Sequence, residues 1–364
     1  MTILYDEGQQ AIATESRRVL EARVSKDDLL PLLESVGDYH RPFWDTAKEQ
    51  GWTALALPEA QGGLGLGLVE LGLIAHQAGR SLSGAPFLTS NFGAAKAIEI
   101  YGTDAQKARW LPGLASGETV GAIAFAAGPD ALPVQPDVTL TGDLLAGVAS
   151  AVSGGLAADI AIVLANGPGM PALTLVDLAG VERSAVASFD NSRCLADLHF
   201  AGTPAETLAI GHAARDAALH ILALQAVVTA HEQTGGAEVL MEIARDYALT
   251  RRAFGQPIGA FQSVKHRIAE LYGLVELARA NCIHAAAREG QPDFITAAAA
   301  ARLSATEAYD TAARDCIQIH GGIGVTWELG LHLHMRRARS LAIEQGSSLF
   351  WEDVLVDRLA GEGA

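Results

Sequence analysis

From about residue 204 onward the chain is dominated by five long alanine-rich segments, at 205–230, 234–252, 262–288, 292–318 and 328–341. Apolar residues recur in them three and four positions apart, with few strong breakers. That spacing lays the apolar side chains along one stripe of an α-helix. Alanine faces let such helices approach closely, so the stretch predicts a bundle of four long helices with extra capping helices.

Upstream the period changes. Between about 119 and 203 the segments VGAIAFAA, DVTLTG, LLAGVASAV, ADIAIVLA, PALTLVDL and ADLHFAG are short and divided by Gly, Pro and Asp. They read as strands of a small β domain, a barrel or a sandwich. Before residue 118 helical patterns return, at 7–23, 42–51, 68–80, 91–101 and 104–115, with Thr103 placed to cap the last. Gly62, Gly63, Gly65 and Gly67 resemble a phosphate loop, but no Gly-Lys-Ser/Thr follows and the dinucleotide spacing is absent. They read as turn punctuation before helix 68–80. The fold class is thus α+β and mostly α, in three blocks, 1–118, 119–203 and 204–364.

At 364 residues, 49% hydrophobic and 19% charged, the chain can bury a sizeable core. A net charge of −16 argues against nucleic acid as a partner, since phosphate binding needs a basic surface. It leaves room for a phosphorylated cofactor held by a few placed donors. Cys194, Cys282 and Cys316 are far apart and form no ligand cluster, so buried free thiols and no metal are expected. With an acidic start and no long uninterrupted apolar run, the expectation is a soluble, cytoplasmic protein without a membrane span.

Two bundle segments carry more than packing. In Asp246-Tyr-Ala-Leu-Thr-Arg-Arg-Ala-Phe-Gly-Gln-Pro-Ile-Gly-Ala-Phe-Gln262, the residues Tyr247, Arg251 and Phe254 are spaced for one stripe of a helix ending at Gly255. A guanidinium beside a flat ring suits a pyrophosphate beside an adenine; a surface Arg and a core Phe at an ordinary helix corner would read the same. In Gln318-Ile-His-Gly-Gly-Ile-Gly-Val-Thr326, three glycines close a long helix where a plain cap needs one. Such a turn can bring backbone close to a ligand, while His320 reads as a structural hydrogen-bonder.

RRAFGQPIGAFQSVKHRIAEL, followed by QIHGGIGVTWELGLHLHMRRAR, resembles the acyl-CoA dehydrogenase family. GWTALALPEAQGGLGLGLVEL and YGTDAQKARWLPGLASGE are similar to that family's N-terminal helical domain, so the resemblance spans nearly the whole chain. In detail it looks closest to a short, heteromer-forming branch that includes pimeloyl-CoA dehydrogenase small subunits and steroid side-chain dehydrogenases. It implies an N-terminal α domain, a middle β domain and a C-terminal four-helix bundle. It implies a homodimer or tetramer, or a heterotetramer with a related subunit, with FAD lying across a subunit boundary. Carried over by motif, Arg251 and Phe254 match the pair that contacts FAD pyrophosphate and adenosine from the neighbouring subunit. Gln262 matches a glutamine of the same site, and Gln318, Gly321 and Gly322 match the turn lining the adenosine diphosphate. The implied reaction is α,β-dehydrogenation of an acyl-CoA thioester, by carboxylate abstraction of the α-proton and hydride transfer to flavin. The implied electron acceptor is an electron-transfer flavoprotein.

The sequence departs from that pattern at the base. One usual glutamate position aligns with Gln345 and the other with Gln225. A glutamine amide does not accept the α-proton. Glu344 is one residue away and is the candidate base if the register shifts by one, although neighbours on a helix diverge by about 100°. Glu232 lies two turns beyond Gln225 on the same stripe, where it could reach a displaced substrate, but it reads first as a solvated helix charge. The flavin side departs too: Ala127 stands in place of a threonine in Ala124-Phe-Ala-Ala-Gly-Pro-Asp130, and Ala149-Ser-Ala-Val-Ser-Gly-Gly155 lacks an aromatic cover. Two roles follow within the family: a catalytic homo-oligomer with an unusual base, or a partner subunit completing another chain's FAD site. The rival classes are a flavin monooxygenase or nitroalkane oxidase on the same fold, and a helical scaffold without flavin.

Overall fold

The computed structural model describes residues 5–362. Helix α1 (Glu7–Arg23) opens on a capping box between Asp6 and Gln9. It is followed by α2 (Arg41–Glu49), α3 (Leu68–Arg80), α4 (Lys96–Tyr101) and α5 (Asp104–Ser116). The side chains of Thr103 and Gln106 cap the start of α5 reciprocally, as the sequence predicts. The glycines ahead of α3 serve as turns: a Cβ on Gly63 would fall 1.8 Å from the Leu57 carbonyl oxygen. A π-helical turn, Ser90–Ala95, precedes α4 and is wholly buried.

The middle region holds β1 (Gly121–Ala124), β2 (Thr139–Thr141), β3 (Leu144–Val152), β4 (Ile160–Asn166), β5 (Pro171–Asp177), β6 (Glu182–Ala185) and β7 (Ala196–Ile210). Pairing runs β4–β2–β3–β7–β5 and returns to β4, so the sheet closes into a barrel, with β1 on β4 and β6 on β7. Closure leaves few unpaired edges. Strand β4 shows why the segment reads as continuously apolar. Ala161, Val163 and Ala165 point into the barrel core, while Ile160, Ile162 and Leu164 belong to the core shared with the helices.

Helices α6 (His212–Thr250), α7 (Gln262–Ala287), α8 (Phe294–His320), α9 (Leu331–Leu341) and α10 (Ser348–Glu362) complete the chain. Helix α6 packs against α3, α7 and α8, making one helical core with the N-terminal elements. Three segment assignments differ from the sequence reading. Helix α6 begins at His212, not 205, because β7 runs on to Ile210 in register with β5. Nor does it break between 230 and 234. Gly235 and Gly236 sit inside it, where a Cβ would come 1.9 Å from the His76 carbonyl oxygen and 2.5 Å from the Tyr309 ring. These glycines permit close crossing rather than a turn. Strand β6 and helix α10 are further elements, the latter anchored by the fully buried Trp351. Among the described residues no helix is long and apolar enough to cross a membrane.

Candidate functional site

A cavity of about 350 Å³ lies where the barrel meets the bundle. Its walls are the end of β1 and the segment after it (Ala124, Phe125, Ala126), the end of β3 with the residue that follows (Ser150 to Ser153), Leu222 of α6, and the turn Ile343–Ser347 between α9 and α10. Alanines and serines supply much of the wall, so few large side chains fill the space. Gln345 stands in this wall in a left-handed conformation (φ 53°), held by Trp351 Nε1 donating to its carbonyl at 3.0 Å. From behind, the buried Arg302 guanidinium donates to the carbonyls of Leu341, Glu344 and Gly346. Burial brings that guanidinium down to about 10 against the pull of Glu344 and Glu232.

Gln345 and Gln225 come to the same place. Thr229 Oγ1 lies 3.5 Å from Gln345 Oε1 and 2.8 Å from the carbonyl oxygen of Gln225, one turn back on α6. Gln225 is fully buried, and neither atom of its amide has a hydrogen-bond partner among the described residues.

Glu344 is the single carboxylate in the described cavity wall, and it is occupied. Arg193 donates Nε to Oε1 at 2.8 Å and Nη2 to Oε2 at 3.0 Å, and Ser153 Oγ adds a third bond at 3.0 Å. A bidentate guanidinium fixes the carboxylate plane and satisfies its lone pairs. Glu232 corrects the sequence reading of a solvated charge. It is 2% exposed, accepting from Arg337 Nη1 at 3.0 Å and lying 3.4 Å from Arg193 Nη1. Helix α6 is covered on that side by Arg193 of the barrel and by α9, which a single-helix pattern does not reveal. Burial pushes the Glu232 carboxyl above the usual range, with both arginines pulling the other way. Arg337 Nε reaches Asp190 Oδ2 at 2.5 Å. Burial also raises Asp190, but the Arg337 guanidinium outweighs it and holds the group below its ordinary value. Three guanidinium groups (Arg193, Arg302, Arg337) thus face three carboxylates (Asp190, Glu232, Glu344), a balanced buried cluster.

A second locus forms at the far ends of α6 and α8. The Tyr247 ring stacks on His320 with centroids 4.0 Å apart, joining the two glycine-marked segments at one corner. His320 Nδ1 lies 2.8 Å from the Cys316 carbonyl oxygen, the structural role read from its place before a cap. Arg251 is exposed at the C-terminal cap of α6. Phe254 corrects the sequence reading: it is not on the helical stripe. Helix α6 stops at Thr250, and Phe254 and Gly255 form the tip of a two-residue hairpin between β8 (Arg252–Ala253) and β9 (Gln256–Pro257). Both tip residues have positive φ, 50° and 82°, as such a turn requires. The Phe254 ring is 96% exposed, touching Phe261 edge-on at 6.2 Å. Gln262 and Gln318 are exposed nearby, and a Cβ on Gly321 or Gly322 would meet nothing within 4 Å.

The three cysteines are buried and unpaired, and no group of three or more His, Cys, Asp or Glu among the described residues is placed to hold a metal.

The acyl-CoA dehydrogenase N-terminal domain matches residues 6–118 and the acyl-CoA dehydrogenase C-terminal domain matches residues 215–359. Acyl-CoA dehydrogenase IpdE2 of Mycobacterium tuberculosis is 34% identical over 305 residues, covering 84% of this chain and 82% of the relative. Among solved structures, the ChsE4–ChsE5 complex of M. tuberculosis superposes with a TM-score of 0.88 at 26% identity, covering 98% of each chain. The Tcur3481–Tcur3483 steroid ACAD G363A variant gives 0.87 at 27% identity, covering 98% of this chain and 99% of that one. With helical ends, a closed middle barrel and two domain matches in order, this chain belongs to the acyl-CoA dehydrogenase family.

Proposed function

We propose that the chain is an FAD-binding subunit of a heteromeric acyl-CoA dehydrogenase. It acts on the α,β-carbons of an acyl-CoA thioester with a related subunit that supplies the base. One observation carries this reading: the sole carboxylate in the described cavity wall is consumed by Arg193 and Ser153, while both usual base positions are glutamines. Proton abstraction therefore has no free acceptor in this chain's own cavity.

The nucleotide corner is intact by contrast. Arg251, Phe254, Gln262, Gln318, Gly321 and Gly322 would hold the pyrophosphate and adenosine of FAD, and the open space over the two glycines fits a planar group. Bound flavin would take the β-hydrogen as hydride and pass electrons to an electron-transfer flavoprotein. Gln225 and Arg251 lie 26 residues apart on and at the end of one unbroken helix. At about 1.5 Å per residue that is about 39 Å, too far for a dinucleotide gripped at the corner to reach the cavity of the same chain. The corner faces a neighbour's site. One solved relative named above, ChsE4–ChsE5, is a complex by its description. The first domain boundary is placed at 118/119, and the second follows the end of β7 at Ile210, beyond the 203/204 division read from the sequence.

Co-expression with a related subunit tests this. FAD is expected in the complex and absent from the chain purified alone. Phe254→Ala or Arg251→Ala is expected to strip FAD from the complex without unfolding it, since both side chains are exposed. Stoichiometric FAD in the isolated chain, bleached by an acyl-CoA without oxygen, would overturn the reading.

A further inference from the structure

Glu344 stands at the border between the cavity and the buried charge cluster. Its side chain is 9% exposed and lines the space, whereas Arg193, which holds it, is 1% exposed and does not. The carboxylate therefore lies between an occupant of the cavity and the nearest guanidinium. Arg193 is committed on both sides, with Nε and Nη2 on Glu344 and Nη1 facing Glu232 at 3.4 Å. Arg302, behind the same turn, is committed to backbone carbonyls. No lysine or arginine among the described residues lines the cavity. The other polar groups of the wall, Ser150, Ser153, Gln345 and Ser347, are neutral, and the remaining lining residues are apolar.

We propose that Glu344 is a specificity-determining residue: the cavity takes acyl thioesters whose acyl group is uncharged and rejects those whose acyl chain ends in a carboxylate. The inference rests on reading the cavity as an acyl site, and not on which subunit brings the base. An uncharged chain meets an apolar wall with a few neutral hydrogen-bonding groups and loses nothing there. A terminal carboxylate gives up its water, finds no cation and faces like charge. The Glu344–Arg193 pair is neutral as a whole, but Coulomb interaction falls with distance, so the nearer carboxylate governs the field inside the cavity. Ser153 Oγ, donating to Glu344 at 3.0 Å, steadies the carboxylate in the wall and is itself drawn away from an incoming anion.

The test uses the FAD-loaded complex, with each variant in this chain alone, and calorimetric titration of hexanoyl-CoA against adipoyl-CoA. The two share carbon count and the CoA moiety and differ by one terminal carboxylate. The native complex is expected to bind hexanoyl-CoA more tightly, by about tenfold. Any apolar cavity would share that ranking, so substitution tests the charge. Glu344→Gln removes it while Arg193 keeps Glu232, and is expected to bind adipoyl-CoA about tenfold more tightly than the native complex does. Glu344→Asp keeps the charge and is expected to keep the native ranking, although it shortens the clamp. A merely structural carboxylate would weaken both thioesters in both variants. Gln345→Lys sets a cation in the wall with the clamp intact, and is expected to tighten adipoyl-CoA in the same way whether or not Glu344→Gln assembles. Equal affinities in the native complex, an adipoyl-CoA affinity that neither Glu344→Gln nor Gln345→Lys raises, or a ranking that Glu344→Asp erases each overturns the proposal. Failure of the heteromer reading shows separately, as FAD retained by the isolated chain, in which the same comparison is then made.

Discussion

The balanced cluster beneath the cavity makes Asp190→Asn a sharp test of how the site is held. The substitution keeps shape and removes one of three negative charges facing Arg193, Arg302 and Arg337. Asp190 is 4% exposed, and its Oδ2 accepts a hydrogen bond from Arg337 Nε at 2.5 Å, so the lost charge leaves a guanidinium under-compensated in a dry site. Breaking one partner of a buried pair costs about 3–5 kcal/mol. With an unfolding entropy of about 2.1 cal/mol/K per residue, a chain of 364 residues loses about 4–7 °C of melting temperature. The pH dependence is fixed in sign. Arg337 holds the folded-state Asp190 carboxyl below its unfolded value. Its contribution is therefore fully present above the ordinary aspartate range and is lost as pH falls through the folded value. Thermal unfolding followed by tryptophan fluorescence should show the full gap between native and variant at pH 7 and at pH 5. The gap should narrow only below about pH 4. A gap under 1 °C at pH 7, or one that closes between pH 7 and 5, would refute the assignment of Asp190 as the charged partner of Arg337.

Two further substitutions probe the bundle and the base. Gly235→Ala places a methyl 1.9 Å from the backbone oxygen of His76, which cannot swing aside, so it is expected to destabilise by about 1–3 kcal/mol in denaturant melts despite alanine's better helix propensity; an unchanged midpoint would mean that α3 and α6 are not so close. Gln345→Glu restores a carboxylate at the aligned base position beside Leu222 and Ser347, and anaerobic titration of the complex with an acyl-CoA is expected to bleach flavin at a second set of sites. Bleaching no greater than in the native complex would show that Gln345 does not face the reacting carbons.

Much of this architecture was legible because its signals are local. Thr103 and Gln106 announce a helix start through their own hydrogen bonds, and the 262–288 segment ends within a residue of the observed helix. What was not legible depends on partners distant in sequence. Gly235 and Gly236 look like a break until His76 and Tyr309 are seen against them. Residues 205–210 look helical until β5 is seen pairing with them. Glu232 looks solvated until Arg193 and Arg337 arrive from the barrel and from α9, more than thirty residues away in either direction. The family alignment marks Gln225 and Gln345 as the two base positions, but their nearness, the orphaned amide and the clamp on Glu344 are visible only with side chains in place. Phe254 shows the opposite case: its i, i+4, i+7 spacing from Tyr247 and Arg251 matches a helical stripe, yet the residue sits on a hairpin tip.

That tip carries a thermodynamic implication. A benzyl ring left 96% in water, on a non-glycine residue with φ of 50° and meeting only the edge of Phe261, is poised to contact a partner. If its counterpart belongs to a dinucleotide seated in a second polypeptide, cofactor and quaternary structure become linked ligands of each other. Dilution then releases flavin, excess flavin drives association, and the apparent affinity for either can be set only after the concentration of the other is stated.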